Sequence, residues 1–240
     1  MEQEKSLFVQ SLFDISATEK ERVGTVRKLE DGREFVYAKA GAVALVQGNL
    51  LQSAAPVANH TNIAVQAAAA VGDKVVNVTL GATAVVADYY KDGFLNINDA
   101  AGEGTSYKIK GHKANAGSGT LVVQLYDAVR VALTTSSEAT LVCNPAANVI
   151  QCPATTLTGA PAGVAIQAVT ALYYFWMQVK GPSSVLISAC TIGLSLEVPC
   201  GTAGAVTTTT ETTFGVVVGV ALVDNADTEH GLVMLAIPGY

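Results

Sequence analysis

The chain has 240 residues, half of them apolar and only 14% charged, with a net charge of −6 at neutral pH. A chain of that length removes enough surface from water to fold without a metal or a disulfide. An acidic balance with no basic stripe excludes a nucleic-acid groove, because phosphate binding depends on clustered Lys and Arg that displace counterions.

Charge is concentrated at the start. The first 40 positions hold 15 of the 34 Asp, Glu, Lys and Arg residues, and after Arg130 the only basic residue is Lys180. The opening Met1-Glu2-Gln3-Glu4-Lys5 lacks the basic start and apolar run of a secretory signal, so folding in the cytoplasm is expected. Residues 1–23 set Leu7, Phe8, Leu12 and Phe13 among charges, the pattern of a short amphipathic segment that docks on a partner, with a flexible tail as the alternative reading.

Gly24 to Ala38 predicts a hairpin turning at Asp31-Gly32, which places Phe35 and Tyr37 on one face. Residues 42–51 repeat strand, turn and strand. Residues 52–70 read as a linker or extended arm, with a helical turn over Ala67–Ala70. Strands are expected at 74–80, 106–110, 120–126 and 139–142, and Asp92-Gly93 is expected to join Tyr89-Tyr90 to residues 94–97. After an irregular stretch holding Pro145, Pro153 and Pro161, further strands are expected at 173–179, 184–189, 194–198, 214–223 and 232–237. The most apolar stretch, Val164 to Val179, is interrupted by polar residues and too short for a bilayer, so no membrane partner is expected. The fold class is mainly β: small antiparallel β-barrel or sandwich units preceded by an extended N-terminal arm with a hairpin. The expected division is residues 1–60 for arm and hairpins, 61–145 for one β domain and 146–240 for a second.

Few residues invite chemistry. His60, His112 and His230 lie far apart in sequence, and pairing His230 with Asp227 and Cys200 or Ser188 lacks the Gly-x-Ser-x-Gly elbow a hydrolase would show. Asp224, Asp227 and Glu229, or Asn96, Asn98, Asp99 and Glu103, suggest calcium, but polar turns explain both groups more simply. No enzyme, cofactor or metal is therefore expected. Lys108, Lys110 and Lys113 read as a solvated strand edge. Cys143, Cys152, Cys190 and Cys200 have neither zinc-knuckle nor redox spacing and read as small buried thiols, with a short-loop disulfide in each sequence pair as the alternative. Tyr173-Tyr174-Phe175-Trp176 reads as a strand with aromatics on both faces, against the sharper alternative of a sugar platform.

Three segments, Gly32-Arg-Glu-Phe-Val-Tyr-Ala-Lys-Ala-Gly41, Tyr173-Tyr-Phe-Trp-Met-Gln-Val-Lys-Gly-Pro182 and Val218-Gly-Val-Ala-Leu222, resemble structural proteins of tailed bacteriophages. The whole is similar to capsid decoration, or cement, proteins. That resemblance implies a non-enzymatic virion protein on the outer capsid surface, made in the host cytoplasm, that bridges capsomers. Its implied partners are the major capsid protein and other copies of itself, as a dimer or trimer. The residues expected to make contact are Leu7, Phe8, Leu12, Phe13, Arg27, Arg33, Phe35 and Tyr37, with the neutral later half covered by other copies. A tail or surface adhesion module binding host glycan is the alternative.

Overall fold

The computed structural model describes residues 8–209 and 215–239. Its contacts divide the chain into two compact units, one of residues 55–144 and one of residues 1–54 together with 145–240. Among the described residues there is no α-helix, only a 3-10 turn at Ala58–His60. In chain order the strands are β1 (Val26–Lys28), β2 (Glu34–Lys39), β3 (Leu50–Gln52), β4 (Ile63–Ala64), β5 (Val75–Thr79) and β6 (Phe94–Asp99). They continue with β7 (Ser106–Gly111), β8 (Thr120–Leu125), β9 (Glu138–Val142), β10 (Ile150–Gln151) and β11 (Pro161–Ala165). The last are β12 (Tyr174–Ile187), β13 (Ser195–Val198), β14 (Thr207–Thr208), β15 (Val216–Ala221) and β16 (Glu229–Ala236).

Residues 55–144 form a six-stranded antiparallel sheet in the order β4-β9-β6-β7-β8-β5. It curls almost into a barrel, and a bridge between Val65 and Val78 brings its two end strands together. Closure follows from alternation: β8 points Leu121, Val123 and Leu125 inward and Thr120, Val122 and Gln124 outward, as a period-2 strand must when one face is dry. The lysine reading changes here. β7 is flanked by β6 and β8, so Lys108 and Lys110 stand on the outer face of an interior strand rather than on an edge. Tyr89 and Tyr90 belong to turns rather than to a strand, because the backbone is left-handed at both Asp88 and Asp92. Ala69 likewise forms a bridge with Leu133 where a helical turn was expected.

The other unit is a ten-stranded sheet, curved into a half-barrel, with β12 at its centre. Strands β1–β3 and β10–β16, from segments read in the sequence as separate (1–60 and 146–240), share this sheet, while residues 55–60 belong to the other unit. Tyr37 lies opposite Trp176 and Phe35 opposite Gln178 across β2 and β12. Pairing them lets Val36 and Ala38 bury against the same core as Phe175, Met177 and Val179. Gly181-Pro182, where the sequence suggested a break, sits inside the long β12. A left-handed Gly181 (φ 85°) and a register shift after Gln178 absorb the irregularity, and the strand continues beside β16 to Ile187.

One small motif recurs in both units. Leu45 and Val169 exchange both backbone hydrogen bonds, and so do Ala69 with Leu133, Val85 with Asn115 and Cys190 with Asn225. Three residues beyond the bridge the backbone turns left-handed in every arm except Leu133's, at Gly48, Gly72, Asp88, Ser118, Leu172, Gly193 and Thr228. The N–H of that left-handed residue reaches across to the facing arm: Gly48 donates to Ala165 O while Leu172 donates to Gly41 O, and Gly193 to Ala221 O while Thr228 donates to Ile187 O. Three of the four motifs thus satisfy their own turn amides by mutual exchange.

Candidate functional site

The strap formed by residues 8–25 lies across the outer face of β2 and β12 without forming a helix, and Ser16 bridges Tyr174. It covers an aromatic shelf. Leu12, Phe35, Tyr37 and Trp176 are all buried together there, with Phe8, Leu29, Ile166 and Tyr174 packed around them. Phe8 meets Trp176 edge-on at 5.2 Å between centroids, and Tyr37 meets the same indole at 5.1 Å. The Arg27 guanidinium sits 5.1 Å from the Phe8 ring centre and 5.9 Å from that of Trp176.

Gln10 organises this shelf. Its side-chain amide donates to Asp14 O at 2.7 Å and to Tyr174 O at 3.2 Å, and its Oε1 accepts the Tyr37 hydroxyl at 2.5 Å. Its backbone carbonyl accepts the Trp176 indole N–H at 3.2 Å. Burial raises the Tyr37 hydroxyl above its ordinary pKa, which keeps it protonated and donating. No sequence signal marked Gln10, because a single Gln among charged residues carries no period or motif.

The expected contact residues therefore separate. Phe35 and Tyr37 have no exposed surface and Leu12 almost none, so these three hold the strap to its own unit instead of reaching a partner. Phe8 and Arg27 take part in the same packing, and Leu7 lies outside the described residues. Phe13, with 62% of its surface exposed, points away from the shelf, as does Val9. The Arg33 guanidinium sits 5.8 Å from the centre of the Phe35 ring and also lines a cleft. Trp176 and Phe175 are fully buried, the first in the shelf and the second in the main core, so neither offers a face to a sugar, while Tyr173 and Tyr174 are partly buried.

The cleft, of about 540 Å³, opens on the same outer face of this unit, walled by β12, β16 and the turn at Gln47-Gly48. Arg33 is positioned by Asp31, whose carboxylate accepts the Arg33 Nε–H at 2.7 Å and its backbone N–H at 3.0 Å. The same contacts hold the Asp31 carboxyl below its ordinary pKa. The Arg33 stem rests on Gly181, where an added Cβ would lie 3.0 Å from Cγ. His230 rests on Gly48 in the same way, and a Cβ there would lie 2.4 Å from the imidazole. Both glycines are also left-handed, so each position excludes a side chain twice over. Ile166, Pro182 and Leu232 supply apolar wall; Gln47, Ser183 and Ser184 supply polar wall.

The other chemical readings do not converge. Among the described residues no group of three or more His, Cys, Asp and Glu side chains could hold a metal ion. His230 faces Gly48, while Cys200 donates its thiol to Thr202 O and Ser188 accepts the Thr207 hydroxyl through its carbonyl. All four cysteines are free thiols, with Cys152 and Cys190 buried and Cys143 and Cys200 partly so. His60 and His112 are buried around Tyr90, where the His60 Nδ1 lies 2.6 Å from the tyrosine hydroxyl and the His112 Nε2 accepts the Tyr90 backbone N–H at 3.1 Å.

Compared with known proteins, the chain matches no family model, no curated protein and no solved structure.

Proposed function

We propose that the chain is a structural virion protein that binds the outer surface of a tailed-phage head and stabilises it by bridging capsomers, in association with other copies of itself. The observation that carries this reading is an apolar row across three neighbouring strands. Val220, Met234 and Pro182 lie directly opposite one another on β15, β16 and β12, and all face solvent. Leu232, opposite Ser184, extends the row to the wall of the cleft. Contiguous outward apolar surface on a regular sheet is what a macromolecular contact needs and an isolated molecule does not. Two of the segments that resemble phage structural proteins, Gly32–Gly41 and Tyr173–Pro182, pair with each other beside this row.

The test is binding of purified chain to heads of the encoding phage assembled without it, read by co-sedimentation and by cryo-EM. Density at regular positions on the head shell is the expected result. Density only at tail tips, or no binding to heads, overturns the reading.

A further inference from the structure

We infer that the cleft beside β12 receives a protein segment by its acidic side chain, with the carboxylate held by Arg33 and His230 and a backbone N–H of the segment accepted by Gln178. That the segment belongs to the capsid shell rests on the head-binding reading; the chemistry of the cleft does not.

No Asp or Glu lines the cleft, while a guanidinium and an imidazole do. Asp31 engages Arg33 through Nε and leaves both terminal nitrogens without partners among the described residues, which are the groups that clasp a carboxylate in parallel. Glu34, the next carboxylate along β2, is engaged elsewhere, accepting Lys28 at 3.1 Å and Lys180 at 3.3 Å. Because Arg33 and His230 are each seated against a glycine, little side-chain freedom is lost when a ligand arrives.

Gln178 decides what carries the carboxylate. It is only 2% exposed, and its side-chain nitrogen donates to Lys180 O at 3.1 Å and Pro182 O at 2.8 Å. Carbonyls only accept, so these two partners fix the amide orientation and leave Oε1 of this cleft-lining residue as an acceptor with no hydrogen-bond partner among the described residues. A site that offers a guanidinium, an imidazole and one fixed acceptor suits a group presenting both a carboxylate and an N–H, which an Asp or Glu in a polypeptide does. Ile166, Pro182 and Leu232 supply apolar wall for its neighbours.

The experiment is a two-dimensional NMR titration of the full chain with the peptide Ac-Val-Glu-Val-NH2, its Gln counterpart and sialyllactose. Expected are saturable shifts at Gly48, Ser183, Ser184 and the Gln178 side chain with the Glu peptide, and binding weaker by about tenfold or more with the Gln peptide. Arg33→Gln weakens the Glu peptide by a similar factor, and Ser184→Leu, on the exposed wall, blocks it while leaving the rest of the spectrum intact. No shifts with the Glu peptide, equal binding of both peptides, an unaffected Arg33→Gln variant, or shifts with sialyllactose alone each overturn the inference. Peptide binding without head binding removes the capsid assignment and keeps the site; head binding without peptide binding does the reverse.

Discussion

Trp176 donates its indole N–H to the backbone carbonyl of Gln10 across 3.2 Å, fastening the start of β12 to the strap. The Arg27 guanidinium reaches the same carbonyl at 3.5 Å, so one backbone oxygen serves two side chains from different strands. Removing the indole leaves a large cavity and takes one of its two donors from that carbonyl: Trp176→Ala is expected to cost about 3–5 kcal/mol. Gln10→Ala strands the Tyr37 hydroxyl and is expected to cost about 1–3 kcal/mol. Urea unfolding of both variants checks the order; a Gln10→Ala variant as stable as the parent would show that the strap is not held by this network.

Trp176 is the only tryptophan, so its fluorescence reports on the strap alone. Deletion of residues 1–23 uncovers Phe35, Tyr37 and Trp176 together. The expected outcome is a red-shifted emission and new binding of an apolar dye, with the barrel of residues 55–144 still folded. An unshifted emission would mean that the indole stays dry without the strap.

The buried pair of histidines around Tyr90 has a structural job that a single variant exposes. In His112→Phe the ring volume is kept while the acceptor for the Tyr90 N–H is lost, and a buried amide without a partner costs about 1–3 kcal/mol. Hydrogen exchange at Tyr90 is expected to accelerate while exchange in β12 does not change. Equal protection in variant and parent would assign the bond no weight.

Alkaline stability follows from groups that burial keeps neutral. Burial pushes the Tyr89 hydroxyl up to about 12, the Cys143 thiol up to about 11 and the Cys152 thiol up to about 12, from ordinary values of 10.0 and 9.0. A raised acid binds its proton more tightly in the folded chain, so its contribution is complete below the unfolded value and is lost as pH rises through the folded one. Urea midpoints are therefore expected to hold steady up to about pH 9 and to fall between about 9 and 12. Iodoacetamide at pH 8 is expected to modify these thiols slowly unless urea is present, and fast native labelling of Cys152 would contradict its burial.

Much of the architecture could be read beforehand, for definite reasons. Alternation along residues 120–125 and 106–110 and the Asp31-Gly32 turn are local signals, and the strands follow them closely. What stayed hidden was long-range. The pairing of β2 with β12 joins residues that sequence distance makes look like separate domains, and nothing in Gly32–Gly41 announces its partner. The left-handed positions were obscured for another reason: Asp88, Ser118, Leu172 and Thr228 occupy turns that glycine would have advertised. The cleft escaped notice because Arg33, Gln178 and His230 come from three strands or their turns and share no spacing.

Three of the four reciprocal bridges are also nested along the chain: Val85 with Asn115 lies inside Ala69 with Leu133, which lies inside Leu45 with Val169. Closing a short loop costs less chain entropy than closing a long one, so the innermost clasp forms most readily and the outermost must wait for residues far downstream. On a ribosome the barrel of residues 55–144 can be complete before β12 has emerged, whereas β2 has no strand to pair with on that side until β12 arrives. Pulse-labelled refolding should protect Val85 and Asn115 before Leu45 and Val169. The order of folding is thus written as a set of enclosed brackets, and the charged strap, first to be made, is among the last parts to find its place.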